Sequence, residues 1–271
     1  MPELPEVETT LRGIAPHVTG HMVTDVIIRT AKLRWTIPNN LPELLRGQVA
    51  SSLQRRAKYL LINFNHGTLI VHLGMSGSLR ILTAPTLPAK HDHFDLVLAN
   101  GVIMRLRDPR KFGAVLWQVG EVSEHPLLAR LGPEPLSDEF NGDYLYRATR
   151  KRSAAIKLVI MDSHIVVGVG NIYANEALFR ACIKPQLTAG KISRQRCEQL
   201  AEEIRATLGE AISLGGSSLR DYVDSDGNLG YFQQHYWVYG RAGEPCKKCG
   251  TPIKLIKQGQ RSSFYCPVCQ R

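Results

Sequence analysis

A chain of 271 residues with 44% hydrophobic and 21% charged side chains can bury a sizeable core, and it is too apolar to belong with disordered proteins. Lysine and arginine outnumber aspartate and glutamate by 34 to 24, a formal charge of +10, which points to a polyanionic partner and to nucleic acid first. The lack of any apolar run of about 18 residues excludes a spanning helix, and the opening MPELPEVETT has neither the basic flank nor the apolar stretch of a secretory signal, so a cytoplasmic protein is expected.

The first predicted element is a helix. Leu4, Val7, Leu11 and Ile14 share one helical face, which places Pro2 and Glu3 at its exposed start and Glu6 one turn in. Removal of Met1 ahead of the small proline leaves a secondary amine as the first group, and such an amine can act as a nucleophile. An α-amine of pKa about 8, against about 10.4 for lysine, supplies roughly a hundredfold more free base near neutral pH. The helix start pushes that pKa down, and Glu3 and Glu6 push it up. A proline with Glu3, Glu6 and Glu8 nearby is equally the make-up of any well-capped helix, and these residues alone leave both readings open.

Strand signals dominate residues 23 to 119, where VTDVIIRT, KYLLINF, TLIVHLGM, FDLVLANGVIMRL and AVLWQV are separated by turn residues. Asn100-Gly101, set between two apolar runs, predicts a tight hairpin. Gly132, Pro133 and Pro135 then break regular structure and place a boundary near residue 130. Beyond it the period is helical: one helix opens at Asn171 after a glycine-rich turn, and Leu200, Ile204, Leu208 and Ile212 recur in a segment opened by Ser193. The N–H groups of a helix start after glycines form a phosphate site, although one such turn is a weak signal. GGSSLRDYVDSDGNLGYF reads as a loop around a short helical turn. The expected domains are 1–130, 131–236 and 237–271.

Of six cysteines, Cys182 and Cys197 stand alone and four fall in the last 26 residues. Cys246 with Cys249 and Cys266 with Cys269 form two Cys-x2-Cys knuckles sixteen residues apart, the donor set of one closed, structural Zn²⁺ site. Disulfides are the alternative, which a reducing compartment disfavours. Between the knuckles, Gly259 marks a hairpin turn with Arg261 at its tip, able to clamp phosphate. Lys254, Lys257 and Arg261 are also compatible with a plain solvated basic face.

The opening MPELPEVET, the terminal four-cysteine module and the intervening QRRAKYLL, HLGMSGSLRIL, KHDHFDL, DPRKFGA, LGPEPL, GVGNIYANEALF, SDGNLGYF and VYGRAGEPC together resemble the formamidopyrimidine-DNA glycosylase family over essentially the whole chain. The Pro-Glu-Leu-Pro-Glu opening is closer to this purine-directed branch than to the Pro-Glu-Gly-Pro-Glu start of its pyrimidine-directed sister. The resemblance implies an α+β multidomain protein: an N-terminal β-sandwich with flanking helices, a helix-two-turns-helix domain and a zinc finger hairpin, with damaged duplex DNA in a cleft between domains. It implies a monomeric enzyme of base excision repair that removes 8-oxoguanine and ring-opened purines and then cuts the strand.

In that family's terms, Pro2 is the nucleophile at C1′ and Glu3 the acid that assists opening of the sugar. Lys58 is a further catalytic acid or a phosphate clamp, and Arg261 holds phosphate and assists δ-elimination. Flipping a nucleotide leaves a gap in the duplex. The resemblance assigns Met75 to filling it, Phe112 to wedging the stack and Arg110 to the orphaned base, whereas spacing alone would put Met75 and Phe112 in a core. His91, Arg152 and Asn171 complete the implied DNA contacts, Arg152 standing where relatives often carry lysine, and the loop from Ser217 to Asp226 would close over the everted base.

Overall fold

The computed structural model describes residues 2–84, 86–217 and 231–271, so most of the loop expected to cover a flipped base lies outside the described residues. The described chain forms two compact units, residues 2–129 with 214–217 and 231, and residues 130–213 with 232–271. The sequence-based ranges differ in two places, leaving 214–217 with the helices and setting the cysteine module apart. Both differences come from contacts between residues far apart in the chain.

In the first unit, helix α1 (Leu4–Val18) starts on a capping box, with the Glu3 N–H donating to Glu6 Oε2 at 2.8 Å. Leu4, Val7 and Ile14 are buried as their spacing predicts. Two antiparallel four-stranded sheets follow. One has the order β1 (Val23–Ile28), β6 (Asp92–Leu98), β7 (Ile103–Arg107), β5 (Ser78–Leu82). The other runs β2 (Ser52–Arg56), β3 (Tyr59–Phe64), β4 (Gly67–His72), β8 (Ala114–Gln118). Leu96, Met104 and Leu106 of the first sheet share one apolar cluster with Leu60, Ile62, Leu69 and Val71 of the second, which makes the pair a sandwich. Val7, Ile14 and Val18 of α1, with Leu41 and Leu45 of α2 (Leu41–Leu45), flank the same core.

The Asn100-Gly101 hairpin forms between β6 and β7, with Gly101 at φ +82° and Asn100 Oδ1 accepting from the Val102 N–H. Strands β2 and β5 escaped the sequence reading because SLQRR and SLRIL carry too few buried positions to stand out; no residue of β2 is fully buried.

The second unit contains α3 (Gly142–Thr149), α4 (Ile156–Ile160), α5 (Asn171–Arg180), α6 (Arg194–Ser213) and the hairpin β9 (Lys254–Gln258) with β10 (Arg261–Tyr265). Ser193 opens α6, its Oγ accepting from the Arg196 N–H, and Leu200, Ile204 and Leu208 are buried. Phe179 of α5 lies in one apolar cluster with Val238, Ile253, Cys246 and Cys266, which is why the cysteine module belongs to this unit.

Candidate functional site

The start of α1 corrects one expectation, for Pro2 and Glu3 are buried rather than exposed; Glu3 and Glu6 are each only 2% accessible. Glu6 explains this. Its Oε2 accepts from the Glu3 N–H, while its Oε1 accepts from the Ser217 N–H at 2.7 Å. A Cβ built on Gly216, which has φ +79°, would lie 3.0 Å from Glu6 Oε1, so the chain at 216–217 closes directly on the first turn. A chain end normally frays; here one carboxylate clamps it from two sides.

Lys58 sits in the two-residue turn between β2 and β3, beside Ala57 at φ +54°, and is half-buried. Arg55 ties this turn to α1: its Nε donates to Glu8 Oε2 at 2.8 Å and its Nη1 to the Ala57 carbonyl at 3.0 Å. Burial alone would push the Glu8 carboxyl up, but hydrogen bonds and charge from Arg55 and Arg12 outweigh it and hold the group below its usual range. The stabilisation this lowering gives is therefore complete above the unfolded pKa and lost as pH falls through the lower folded value. We expect Glu8→Gln to lower Tm at neutral pH, with the gap to the natural protein closing as pH falls through and below the usual carboxylate range, as read by thermal melts across pH; a gap independent of pH would contradict this.

His72, at the end of β4 opposite Tyr59, is a residue the sequence reading passed over. Burial, with the charges of Lys58 and Arg34, pushes its imidazole down to about 4, so it is neutral near pH 7. Its Nδ1 accepts from the Gly74 N–H at 3.0 Å, which fixes the turn carrying Met75. Leu33, Arg34, His72, Gly74, Met75, Lys111 and Phe112 line a recess of about 480 Å³. Phe112 is 44% exposed and Met75 half-buried, and neither belongs to the sandwich core, so the core reading that spacing favoured does not hold. The Arg110 guanidinium lies 5.0 Å over the Phe112 ring, an exposed cation–π pair. His91 is half-buried, its ring 6.4 Å from that of His93.

In the second unit, Asn171 is the first residue of α5, after Gly170 at the cap. Among the described residues nothing hydrogen-bonds its buried Oδ1. Arg152 follows α3, 46% exposed, with Nη1 3.8 Å from Asp162 Oδ2. The four cysteine sulfurs of Cys246, Cys249, Cys266 and Cys269 lie within 4.8 Å of one another, with Cys246 to Cys269 at 3.9 Å and Cys249 to Cys266 at 3.5 Å. Zn–S bonds of about 2.3 Å at tetrahedral angles put sulfurs about 3.8 Å apart, whereas an S–S bond is about 2.05 Å. N–H groups of Lys248 and Cys269 donate to Cys246 and Cys266 sulfur. The donors fit Zn²⁺, which they would hold as a closed structural site.

Arg261 stands exposed beside the hairpin turn, where Gly259 and Gln260 both have positive φ, the two-residue turn that suits strand twist. Three inward residues, none picked out from sequence, brace this module. Lys157, fully buried on α4, donates from Nζ to the Ser262 carbonyl at 2.8 Å and Ser263 Oγ at 2.6 Å. Asn175 Oδ1 accepts from the Phe264 N–H, and Glu176 accepts from the N–H groups of Trp237, Val238 and Tyr239. A lone lysine inside the apolar AAIKLVI was the available signal. Lys157→Met should leave two acceptors unpaired next to Arg261 and slow strand cleavage about tenfold, with zinc content unchanged by metal analysis; an unaltered rate would separate Lys157 from the site.

Family profiles match three stretches: the Formamidopyrimidine-DNA glycosylase N-terminal domain at residues 1–115, its H2TH domain at 131–223, and the zinc finger found in FPG and IleRS at 243–271. The Formamidopyrimidine-DNA glycosylase of Thioalkalivibrio sulfidiphilus is 59% identical over 100% of both chains. The chain belongs to the formamidopyrimidine-DNA glycosylase family. The glycosylase is likewise 56% identical to the protein of that name from Methylobacillus flagellatus, over 100% of this chain and 97% of that one. The crystal structure of MutM (Fpg) from Thermus thermophilus shares 38% identity at a TM-score of 0.89, covering 99% of this chain and 98% of the other. Lactococcus lactis Fpg in complex with DNA containing an abasic site shares 33% at 0.92, covering 99% of each. The glycosylase therefore carries the family's zinc finger, with one Zn²⁺ on Cys246, Cys249, Cys266 and Cys269.

Proposed function

We propose that this glycosylase excises oxidised purines, 8-oxoguanine and formamidopyrimidines, from duplex DNA through the amine of Pro2 and then cuts the strand at the resulting site. The observation that carries this reading is the double clamp of Glu6 on Glu3 and Ser217, which gives the chain end the fixed position a nucleophile requires. Lactococcus lactis Fpg variants bound to Fapy-dG-containing DNA, at a TM-score of 0.93 to this chain, support the lesion class.

In the proposed sequence, the Pro2 nitrogen attacks C1′, the glycosidic bond breaks and the base leaves with a proton. Glu3 protonates the ring oxygen as C1′–O opens, giving an iminium. Its positive charge acidifies the C2′ hydrogen; loss of that proton expels the 3′ phosphate, and a second elimination expels the 5′ phosphate. Lys58 and Arg261 hold the flanking phosphates and offset charge on the departing groups. Met75 fills the gap left by the flipped nucleotide, Phe112 wedges the stack and Arg110 meets the orphaned base, while His91, Arg152 and Asn171 hold backbone phosphates; the place of Asn171 at the start of α5, after Gly170, supports its part. One chain supplies all these groups, so we propose a monomer, acting where chromosomal DNA lies in the bacterial cytosol.

Borohydride reduction on a duplex with 8-oxoguanine opposite cytosine, followed by peptide mass spectrometry, tests the scheme. A crosslink on Pro2 is expected; one on Lys58 would reassign the nucleophile, and tight binding without any crosslink would leave a DNA-binding protein without lyase chemistry.

A further inference from the structure

Three segments of the first unit that the proposed function assigns to DNA meet at a residue it does not use, Asp108, which follows β7 and has no accessible surface, at 0%. Its Oδ1 accepts from Ser76 Oγ and from the Arg110 N–H, each at 3.2 Å, and its Oδ2 accepts from the Gly113 N–H at 2.8 Å. The Asp108 N–H donates to the His91 carbonyl at 2.9 Å, and its carbonyl lies 3.0 Å from His93 Nε2. One carboxylate thus joins the turn of Met75 to the turn of Arg110 and Phe112, and the same residue's backbone holds the segment of His91.

The two turns are also in direct contact. Gly74 has φ +64°, and a Cβ there would lie 2.4 Å from the Phe112 carbonyl carbon; one on Gly113 would lie 3.0 Å from Asp108 Oδ2. Backbones this close slide past one another only if the carboxylate releases its donors, of which Ser76 Oγ and the Gly113 N–H would then be buried without a partner. A guanidinium offers donors only; on its pairing edge cytosine presents two adjacent acceptors, a carbonyl oxygen and a ring nitrogen, beside its amino group, whereas adenine presents one ring nitrogen beside an amino donor. Telling them apart therefore depends on where the fork of Arg110 is held.

We propose that Asp108 is the positioning residue that locks Met75, Arg110 and Phe112 in one register and thereby sets the preference for cytosine over adenine opposite the lesion. The proposal rests on the DNA-facing reading of those three residues. Asp108→Asn keeps the shape but not the bonding: with its oxygen on the Gly113 N–H, its NH2 faces Ser76, which can rotate to accept, and the Arg110 N–H, which cannot. Ser76→Ala removes one bond and leaves the backbone contacts.

The experiment measures kcat/KM of the full-length, zinc-loaded protein on 8-oxoguanine opposite cytosine and opposite adenine, together with cleavage of a preformed abasic site in single-stranded DNA. We expect the cytosine-over-adenine ratio to fall about tenfold in Asp108→Asn and about threefold in Ser76→Ala, with single-strand cleavage within about twofold of the natural protein. An unchanged ratio in both variants overturns the proposal, as does a uniform loss on all three substrates, which would mark a general structural role. Should Asp108→Asn fail to fold, the ratio in Ser76→Ala decides. A natural protein with no preference between the two partners would instead sink the DNA-facing reading of Arg110.

Discussion

Pro2→Gly is expected to lose lesion excision by on the order of a thousandfold or more, the scale on which removal of an activated nucleophile acts, while the Kd for lesion DNA moves by no more than about threefold. The reason is chemical before it is structural. A secondary amine condenses with C1′ to an iminium that carries a permanent positive charge, and that charge draws electrons in the eliminations that follow. The primary amine of glycine gives an imine that must first capture a proton. Glycine also removes the ring that holds the nitrogen lone pair in one direction, so the attacking orbital is no longer fixed even though Glu6 still holds the Glu3 N–H and the Ser217 N–H. Single-turnover excision of 8-oxoguanine opposite cytosine, gel-shift affinity on the same duplex and mass spectrometry to verify loss of Met1 check all three points. Excision at the natural rate by this variant would remove Pro2 from the mechanism.

Removal of zinc is expected to unfold the segment from Trp237 onward and to weaken DNA binding at least about tenfold. The module's apolar cluster offers little besides Val238, Ile253, Phe179 and the cysteines themselves, too small a core to replace about 10 kcal/mol of metal binding. Trp237, stacked on Phe179 with ring centroids 5.5 Å apart at 22°, reports the event through its fluorescence. The damage would not stop there, because Lys157 Nζ, Asn175 Oδ1 and the Glu176 carboxylate, all inward-facing, would lose the hydrogen bonds they make to that module. Chelated protein that bound DNA as tightly as the zinc form would end the proposed role of the finger and of Arg261.

Much of this molecule was legible in one dimension. The Leu4, Val7 and Ile14 face of α1, the Asn100-Gly101 hairpin, the helix opened by Ser193 and the four-cysteine site are all set by neighbours within a few residues or by fixed spacing, so periodicity and turn chemistry suffice to find them. The short strands β2 and β5 were not, since β2 has no fully buried residue and β5 only two, and their place in the sheets comes from their pairing partners. Nor were the inward polar residues. Lys157, Asp108 and Glu176 look in sequence like any solvated charge, and only the donors and acceptors brought to them from distant segments reveal what each one holds.

The sequence by itself determined a net basic charge, a thiolate set for zinc and a string of motifs that mark the family, and it offered the amine of Pro2 beside glutamates as a candidate nucleophile. Those are properties of residue type and local spacing, which survive without coordinates. Tertiary structure alone decided that the start of α1 is covered, because the residue that covers it, Ser217, stands 211 positions away from Glu6. It decided as well that the cysteine module packs with α5, where Phe179 shares its core. Contacts between such remote segments form only once the intervening chain has folded, and nothing in the residues flanking either partner encodes them.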